Sequence, residues 1–359
     1  MAGQKKKKRH WLSRLSFGSV SLVMSVLLVL AYLSMIVDPA KAWFFTLFGL
    51  LYPLVLPLTL VLFVWALLRR SRTRLLLAVA LLPSLFFAGR YVQLSGPKNP
   101  PEPTLKVVSY NVGLFAHGPA GADRLALADS VARYLRGLDA DIICLQEVYI
   151  PSGLSMETWL RTRFPGYRTE YYGLNWGKGR AGNVTLSRLP VSARGKHDFA
   201  HSTNLALWTD VRLDSATVRV YNCHFESYNI SLSGLVKRDG AVEETERKMR
   251  RSITGRPRQV AEVLSGIDAA PVQALVAGDF NDGPLSYTYF RLKRGRQDSF
   301  VRAGKGFGAT YSTLWPLLRL DYLLVPSGLD AVSYTVDRVR WSDHYPVIAT
   351  YHETGRNPR

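Results

Sequence analysis

The stretch Ser-Gly-Pro-Lys-Asn-Pro-Pro-Glu-Pro-Thr at 95–104 cuts the 359-residue chain into two parts built for different solvents. Before it lie three apolar runs, at 15–37, 42–68 and 75–94. The first is free of charge and long enough to cross a bilayer as a helix. The second contains Pro53 and Pro57, which membrane helices tolerate better than soluble ones. The third is shorter and meets Arg90, a side chain able to snorkel to the interface. A cleaved signal peptide fits less well than a permanent anchor, because the first run exceeds a usual signal core and two more follow. The basic segment 1–14 and the four arginines between 69 and 74 both belong on the cytoplasmic side. Three crossings then carry everything after residue 95 out of the cytoplasm; if the third run only lay on the surface, the remainder would be cytoplasmic. The expectation is an integral protein of the plasma or inner membrane, with the lipid bilayer as partner.

Charge follows the same division. The first hundred residues hold 13 Lys and Arg against one acid, Asp38, and so carry about +12 of the formal +19. The high net charge is a membrane-flank signature and not evidence of a nucleic-acid-binding domain. The basic run 237–258 is interleaved with acids and reads as a solvated helix face. Two cysteines, Cys144 and Cys223, fall inside expected strands and read as small buried hydrophobes.

After the semi-rigid linker 95–104, residues 105–352 are enough for one substantial core. Apolar patterning predicts strands at 105–111, 141–148, 181–186, 206–213, 218–225, 275–282, 320–325, 334–339 and 347–351, with helices at 123–138, 241–251 and 259–267. Helices among mixed strands imply an α/β (α+β) sandwich and exclude an all-β barrel.

The strands end on chemistry. In Leu275-Val276-Ala277-Gly278-Asp279-Phe280-Asn281-Asp282 an apolar body stops at glycine and then presents Asp279 and Asn281, two apart and therefore on one side of an extended chain. Asn111, Glu147, Asp321 and Asp343 occupy similar strand ends, as do His224 and His344. No thiolate cluster and no His-x-x-x-His exists, which argues against a zinc site of nitrogen and sulfur. Carboxylates with amides suit Mg²⁺ or Mn²⁺, and such an ion beside a histidine is equipment for hydrolysing a phosphate ester.

The ordered set Ser109-Tyr110-Asn111-Val112, Leu145-Gln146-Glu147, Asn222-Cys223-His224-Phe225, Gly278-Asp279-Phe280-Asn281, Arg319-Leu320-Asp321-Tyr322 and Ser342-Asp343-His344-Tyr345-Pro346 resembles the endonuclease/exonuclease/phosphatase superfamily. Deoxyribonuclease I-like nucleases, neutral sphingomyelinases and inositol-phosphate five-phosphatases belong to it. The resemblance implies a four-layer sandwich, two packed mixed β-sheets flanked by helices, with the site at one end of the sheets. It implies Glu147 as the principal metal ligand, with Asn111 beside it and Asp343 helping at that ion or a second one. It implies that Asp279 orients or deprotonates the attacking water, Asn281 contacts the phosphate and positions Asp279, and His344 is the acid/base held by Asp321. His224 would donate to a non-bridging phosphate oxygen.

The expected function is Mg²⁺-dependent hydrolysis of phosphodiester bonds by a membrane-anchored enzyme. A nuclease ranks slightly ahead on family frequency; the alternatives are a phospholipid or sphingomyelin phosphodiesterase and an inositol-phosphate phosphatase. An inactive membrane binding module would be expected to lack Glu147, Asp279 or His344, and all three are present.

Overall fold

The structure, a computed structural model, describes residues 2–118, 122–228 and 241–355, with side chains described from residue 16 and, after the second gap, from residue 243. The side chains of the basic cluster at 5–9, and Lys237 and Arg238, lie outside the described residues.

Three helical stretches long and apolar enough to cross a membrane come first. They are α1 (Ala2–Leu33), α2 (Phe45–Leu68) and a broken third stretch, α3 (Thr73–Leu81) continued by α4 (Ser84–Phe87). Then follow β1 (Val92–Gln93), β2 (Leu105–Asn111), α5 (Arg124–Gly137), β3 (Ile142–Pro151), α6 (Met156–Arg163), β4 (Arg168–Trp176) and β5 (Gly179–Ser187). Next come β6 (Val191–Asp198), β7 (Leu205–Arg212), β8 (Thr217–His224), α7 (Ala241–Asp268) and β9 (Gln273–Asp279). The chain closes through α8 (Tyr287–Lys293), β10 (Gln297–Asp298), α9 (Ser299–Ala303), β11 (Gly306–Phe307), β12 (Asp321–Val325), β13 (Leu329–Val336) and β14 (Val347–Glu353).

Two six-stranded sheets form, in the orders β10-β12-β9-β8-β7-β6 and β13-β14-β2-β3-β5-β4. The pairs β8–β9 and β2–β3 are parallel and the others antiparallel, so both sheets are mixed. Alternation gives each sheet two apolar faces to bury. Val107, Ile142, Val220, Leu275, Leu323 and Val347 meet between the sheets. Outside, Val108, Ile143 and Leu145 pack on Leu127, Val131 and Leu135 of α5, while Val276 and Leu324 pack on Val260 and Val263 of α7. This is the expected four-layer sandwich.

Besides the two-residue strands β1, β10 and β11, the sequence reading lacks β4 and β6, which lie at sheet edges. β6 alternates half-buried and exposed positions along its whole length, so its hydrophobic signal is weak. One helix replaces the expected pair at 241–251 and 259–267. Pro257 removes a single backbone hydrogen bond, and Ile253, Val260 and Val263 bury around it. The reading of 237–258 as a solvated face is corrected at Arg256. That side chain is 1% exposed, and its Nη1 lies 2.9 Å from Asp282 Oδ2. The sequence shows Arg256 among charges; only the fold turns it inward.

A second buried pair ties the sandwich to the segment that follows the three apolar helices. Arg319 Nη1 and Nη2 donate to the two Asp298 oxygens at 2.9 and 2.6 Å, and Nη1 also reaches the Arg90 carbonyl at 3.2 Å. Burial opposes the Asp298 charge, but Arg319 outweighs it and holds the carboxyl below its usual value. A depressed folded pKa gives stability that is present above the unfolded carboxylate value and lost as pH falls through the folded one. Arg319→Met should therefore destabilise the protein by about 3–5 kcal/mol at neutral pH. The deficit should shrink in acid, where the abandoned Asp298 takes up a proton. Thermal unfolding of both chains in detergent across pH checks the magnitude and the sign.

Candidate active site

Strand register assembles the site. β8, β9 and β12 lie side by side, with His224 opposite Asp279 and Asp279 opposite Asp321. Three side chains far apart in sequence thereby form one row. In the facing sheet Asn111, at the end of β2, pairs with Gln146 midway along β3. One residue later the β3–β5 register slips between Leu145 and Val148, and Glu147 adopts φ 55° in that bulge. A left-handed backbone is costly for glutamate and common where a side chain is re-aimed at a site. Asn111 Nδ2 then joins the sheets, donating to Glu147 Oε1 at 3.1 Å and to Asp279 Oδ2 at 3.0 Å.

The end of β9 depends on Gly278. Its φ is 127°, and a Cβ there would come within 1.9 Å of the Cys223 carbonyl oxygen, so only glycine fits. Beyond it the Asn281 amide N–H donates to Asp279 Oδ1 at 2.8 Å, and Asn281 Nδ2 donates to Asp279 Oδ2 at 3.2 Å and to the Phe225 carbonyl at 2.9 Å. Asp279 is 1% exposed and accepts from Asn111 and Asn281.

His344 enters from the loop before β14. Its Nδ1 donates to Asp321 Oδ2 at 2.8 Å, and its Nε2 lies 3.7 Å from Asp279 Oδ2. Asp343 points elsewhere: its Oδ1 is 3.3 Å from His117 Nε2 and accepts from Ser342 Oγ at 3.2 Å. His224 Nε2 is buried without a hydrogen-bond partner, 3.4 Å from Glu147 Oε1 and 3.9 Å from Asp279 Oδ2.

Burial sets the proton affinities. It pushes Asp279 up to about 6 against the pull of His344, raises Glu147 above the usual carboxylate range, and lowers His224. Burial would also lower His344, but the facing Asp321 and Asp279 carboxylates outweigh it and hold the imidazole well above its ordinary value. The site therefore pairs a neutral histidine with a charged one.

A hard divalent cation fits these donors. Glu147 combines 29% side-chain exposure with a raised proton affinity, and a cation at its oxygens would reverse the cost of its charge. Asn111 presents its NH₂ to Glu147; turning the amide would offer Oδ1 instead. Atoms of Asp279, Asp321 and His344 also lie within 4.8 Å of one another. Asp321 Oδ2 is held by His344 and Asp279 already accepts three N–H donors, so Glu147 is the more open ligand.

Four contributors went unnoticed in the sequence. Asn183, buried in β5, donates to the Asn222 and Leu205 carbonyls behind His224. A lone amide in the apolar run Ala181–Leu186 was the available signal. Thr310 Oγ1 accepts from the Asp321 amide at 3.1 Å, and the Tyr311 ring stands 5.3 Å from His344. His117 faces Asp343. These three come from loops with no pattern to read.

A cavity of about 190 Å³ opens beside Glu147 and His224, walled by Leu174, Trp176, Asn183 and Asn204. A larger one of about 1150 Å³ lies away from these residues, lined by Arg90, Lys293, Arg294, Arg296 and Arg302.

Comparison with known proteins places this geometry. A model described as the endonuclease/exonuclease/phosphatase family matches residues 108–344, and one described as a domain of unknown function matches 13–91. No curated protein matches the chain. Among solved structures, the human Nocturnin catalytic domain with bound sulfate is similar with a TM-score of 0.53 at 15% identity, covering 71% of this chain and 96% of that one. An endonuclease/exonuclease/phosphatase from Beutenbergia cavernae gives 0.52 at 18%, covering 70% and 72%. Truncated TDP2 from Caenorhabditis elegans gives 0.50 at 21%, covering 69% and 97%. At these identities the structures bear on the fold.

Proposed function

The chain belongs to the endonuclease/exonuclease/phosphatase family, whose members are metal-dependent phosphoesterases, and from that premise we propose a membrane-anchored phosphodiesterase using Mg²⁺, with Mn²⁺ as substitute. The observation that carries this reading is the meeting of Glu147 and Asn111 from one sheet with the Asp279–His344–Asp321 row and His224 from the other. When bound, the ion neutralises phosphate charge and polarises the P–O bond.

The protein's own groups supply the rest. Glu147 would hold the ion, with Asn111 beside it and Asp343 as the further carboxylate the resemblance offers. Asp279 has the raised proton affinity of a base and is fixed by Asn281, so it aligns a water and takes its proton. His224, neutral and with Nε2 unpartnered, donates to a non-bridging oxygen of the phosphate as charge builds. His344, kept charged by Asp321, supplies the proton for the departing oxygen. The nearest described cysteine, Cys223, is buried with its thiol pushed up, which supports direct attack by water over a covalent intermediate.

The three spans support an extracytoplasmic catalytic domain. Ser34 after α1 and Gly49 near the start of α2, at the membrane end opposite the basic N-terminus, touch the loop that follows β9. A nuclease remains the family default. Its rival, hydrolysis of a lipid head group, draws on that contact.

Stripping divalent ions from the full chain in detergent should reduce hydrolysis of bis(p-nitrophenyl) phosphate to background, and Mg²⁺ or Mn²⁺ should restore it. Undiminished turnover in excess chelator would overturn the metal-dependent reading.

A further inference from the structure

The membrane helices do more than tether the sandwich: the catalytic loops rest on them. Leu285, four residues after Asn281, is buried among Leu28, Ala31, Met35 and Tyr52 of the helical bundle. Its carbonyl accepts from Ser34 Oγ at 2.6 Å. A Cβ on Gly49 of α2 would come within 2.2 Å of that carbonyl, so the close approach requires glycine. Four residues of chain span at most about 14 Å, which places Asn281 that near the bundle.

A second loop makes the same connection. Phe307, Pro316 and Leu317 form one wall of an apolar groove of about 620 Å³. The opposite wall is the α2 face of Tyr52, Leu56 and Leu60, with Tyr91 at the end of the third membrane stretch. The middle of the same loop holds the site: the Ser312 N–H donates to the Asp343 carbonyl at 2.7 Å, and Tyr311 bridges to His344. From Tyr52 to Leu60 the helix rises about 12 Å, close to the ~15 Å depth of one leaflet's hydrocarbon. Exposed Leu94, Phe307, Leu314 and Trp315 form an apolar rim on the sandwich at this junction.

We propose that the groove seats one acyl chain of a membrane phospholipid, and that the scissile phosphodiester belongs to that lipid. The occupant follows from position. A cleft along a membrane-spanning helix, walled by apolar side chains, faces acyl chains at high concentration and little else. The loop shared by groove and site, and the short path from Asn281 to Leu285, keep the phosphate within reach while the chain stays in the bilayer. Water forms the new bond to phosphorus, the opposite P–O ester bond breaks, and the departing alcohol oxygen takes a proton. No further reactant is consumed. The proposal rests on the phosphodiesterase reading above and names its substrate class.

The test uses the full chain reconstituted with Mg²⁺ in phosphatidylglycerol–phosphatidylethanolamine vesicles, with bis(p-nitrophenyl) phosphate and plasmid DNA assayed alongside. Head-group or phosphoryl-product release is expected. Leu56→Trp, which fills the groove, should lower the ratio of lipid to soluble-diester hydrolysis at least tenfold. If that variant loses both activities and has therefore misfolded, Leu317→Trp on the opposite wall serves for the same ratio. Soluble-diester or plasmid cleavage with intact lipid would overturn the lipid assignment and leave the phosphodiesterase reading standing. Lipid cleavage with an unchanged ratio would overturn the groove. Failure on every substrate would remove the phosphodiesterase reading itself.

Discussion

Glu147→Gln is expected to lower metal-dependent hydrolysis about 10³-fold or more. A divalent ion contributes several kcal/mol of charge stabilisation in the transition state, and each 1.36 kcal/mol is tenfold in rate. Glutamine keeps the volume of glutamate and offers Asn111 Nδ2 a carbonyl acceptor, so the bridge to Asp279 survives. What disappears is the charge on the open carboxylate of the site. Burial already works against that charge, and removing it should leave thermal stability unchanged or slightly raised. Two measurements belong together: kcat/KM on a soluble diester, and Mn²⁺ affinity by calorimetry. Wild-type affinity in the variant would sink the assignment of Glu147 as the principal ligand.

His344→Ala is the second large effect, a fall in kcat of about 10²–10⁴-fold, the range for a positioned proton donor. The imidazole cannot be replaced by solvent: His344 is 5% exposed, with Asp321 on one nitrogen and Asp279 near the other. Its loss leaves two carboxylates facing each other without their cation, so some stability goes as well, and circular dichroism on the purified variant must accompany the rates. Asp321→Asn separates positioning from chemistry. It keeps the shape but removes the charge that keeps His344 protonated, and should lower kcat with KM nearly unchanged while moving the basic limb of the pH–rate profile to lower pH. A loss under tenfold in His344→Ala would assign the proton to another group.

The sequence was most legible where chemistry interrupts an apolar pattern. Gly278-Asp279-Phe280-Asn281 reads as a strand that stops and presents two polar side chains, and the structure brings both together, not by extended alternation but by a turn in which Asn281 has φ 49° and its N–H caps Asp279 Oδ1. That His224, Asp279 and Asp321 sit near strand ends was legible, but that they form one row was not, because the side-by-side order of β8, β9 and β12 is decided only by the sheet. Edge strands β4 and β6 were illegible too: half-exposed strands bury too little to enforce a pattern. Arg256 misled because local composition describes the neighbours in sequence, whereas its burial is decided by Asp282 and Tyr228 arriving from other segments.

The amino-acid sequence by itself determined the apolar runs before residue 95 and which polar side chains stand near the strand ends. These are local properties, fixed by hydropathy over one window or by side-chain type. Tertiary structure alone decided how the groups face one another. Glu147 turns inward through a bulge in β3, Tyr311 backs His344 from a patternless loop, and Leu285 seats the loop after β9 among the N-terminal apolar helices. Each of these is a contact between distant segments. Its cost, in backbone strain or buried polar atoms, is offset only by packing that exists once the whole chain has folded.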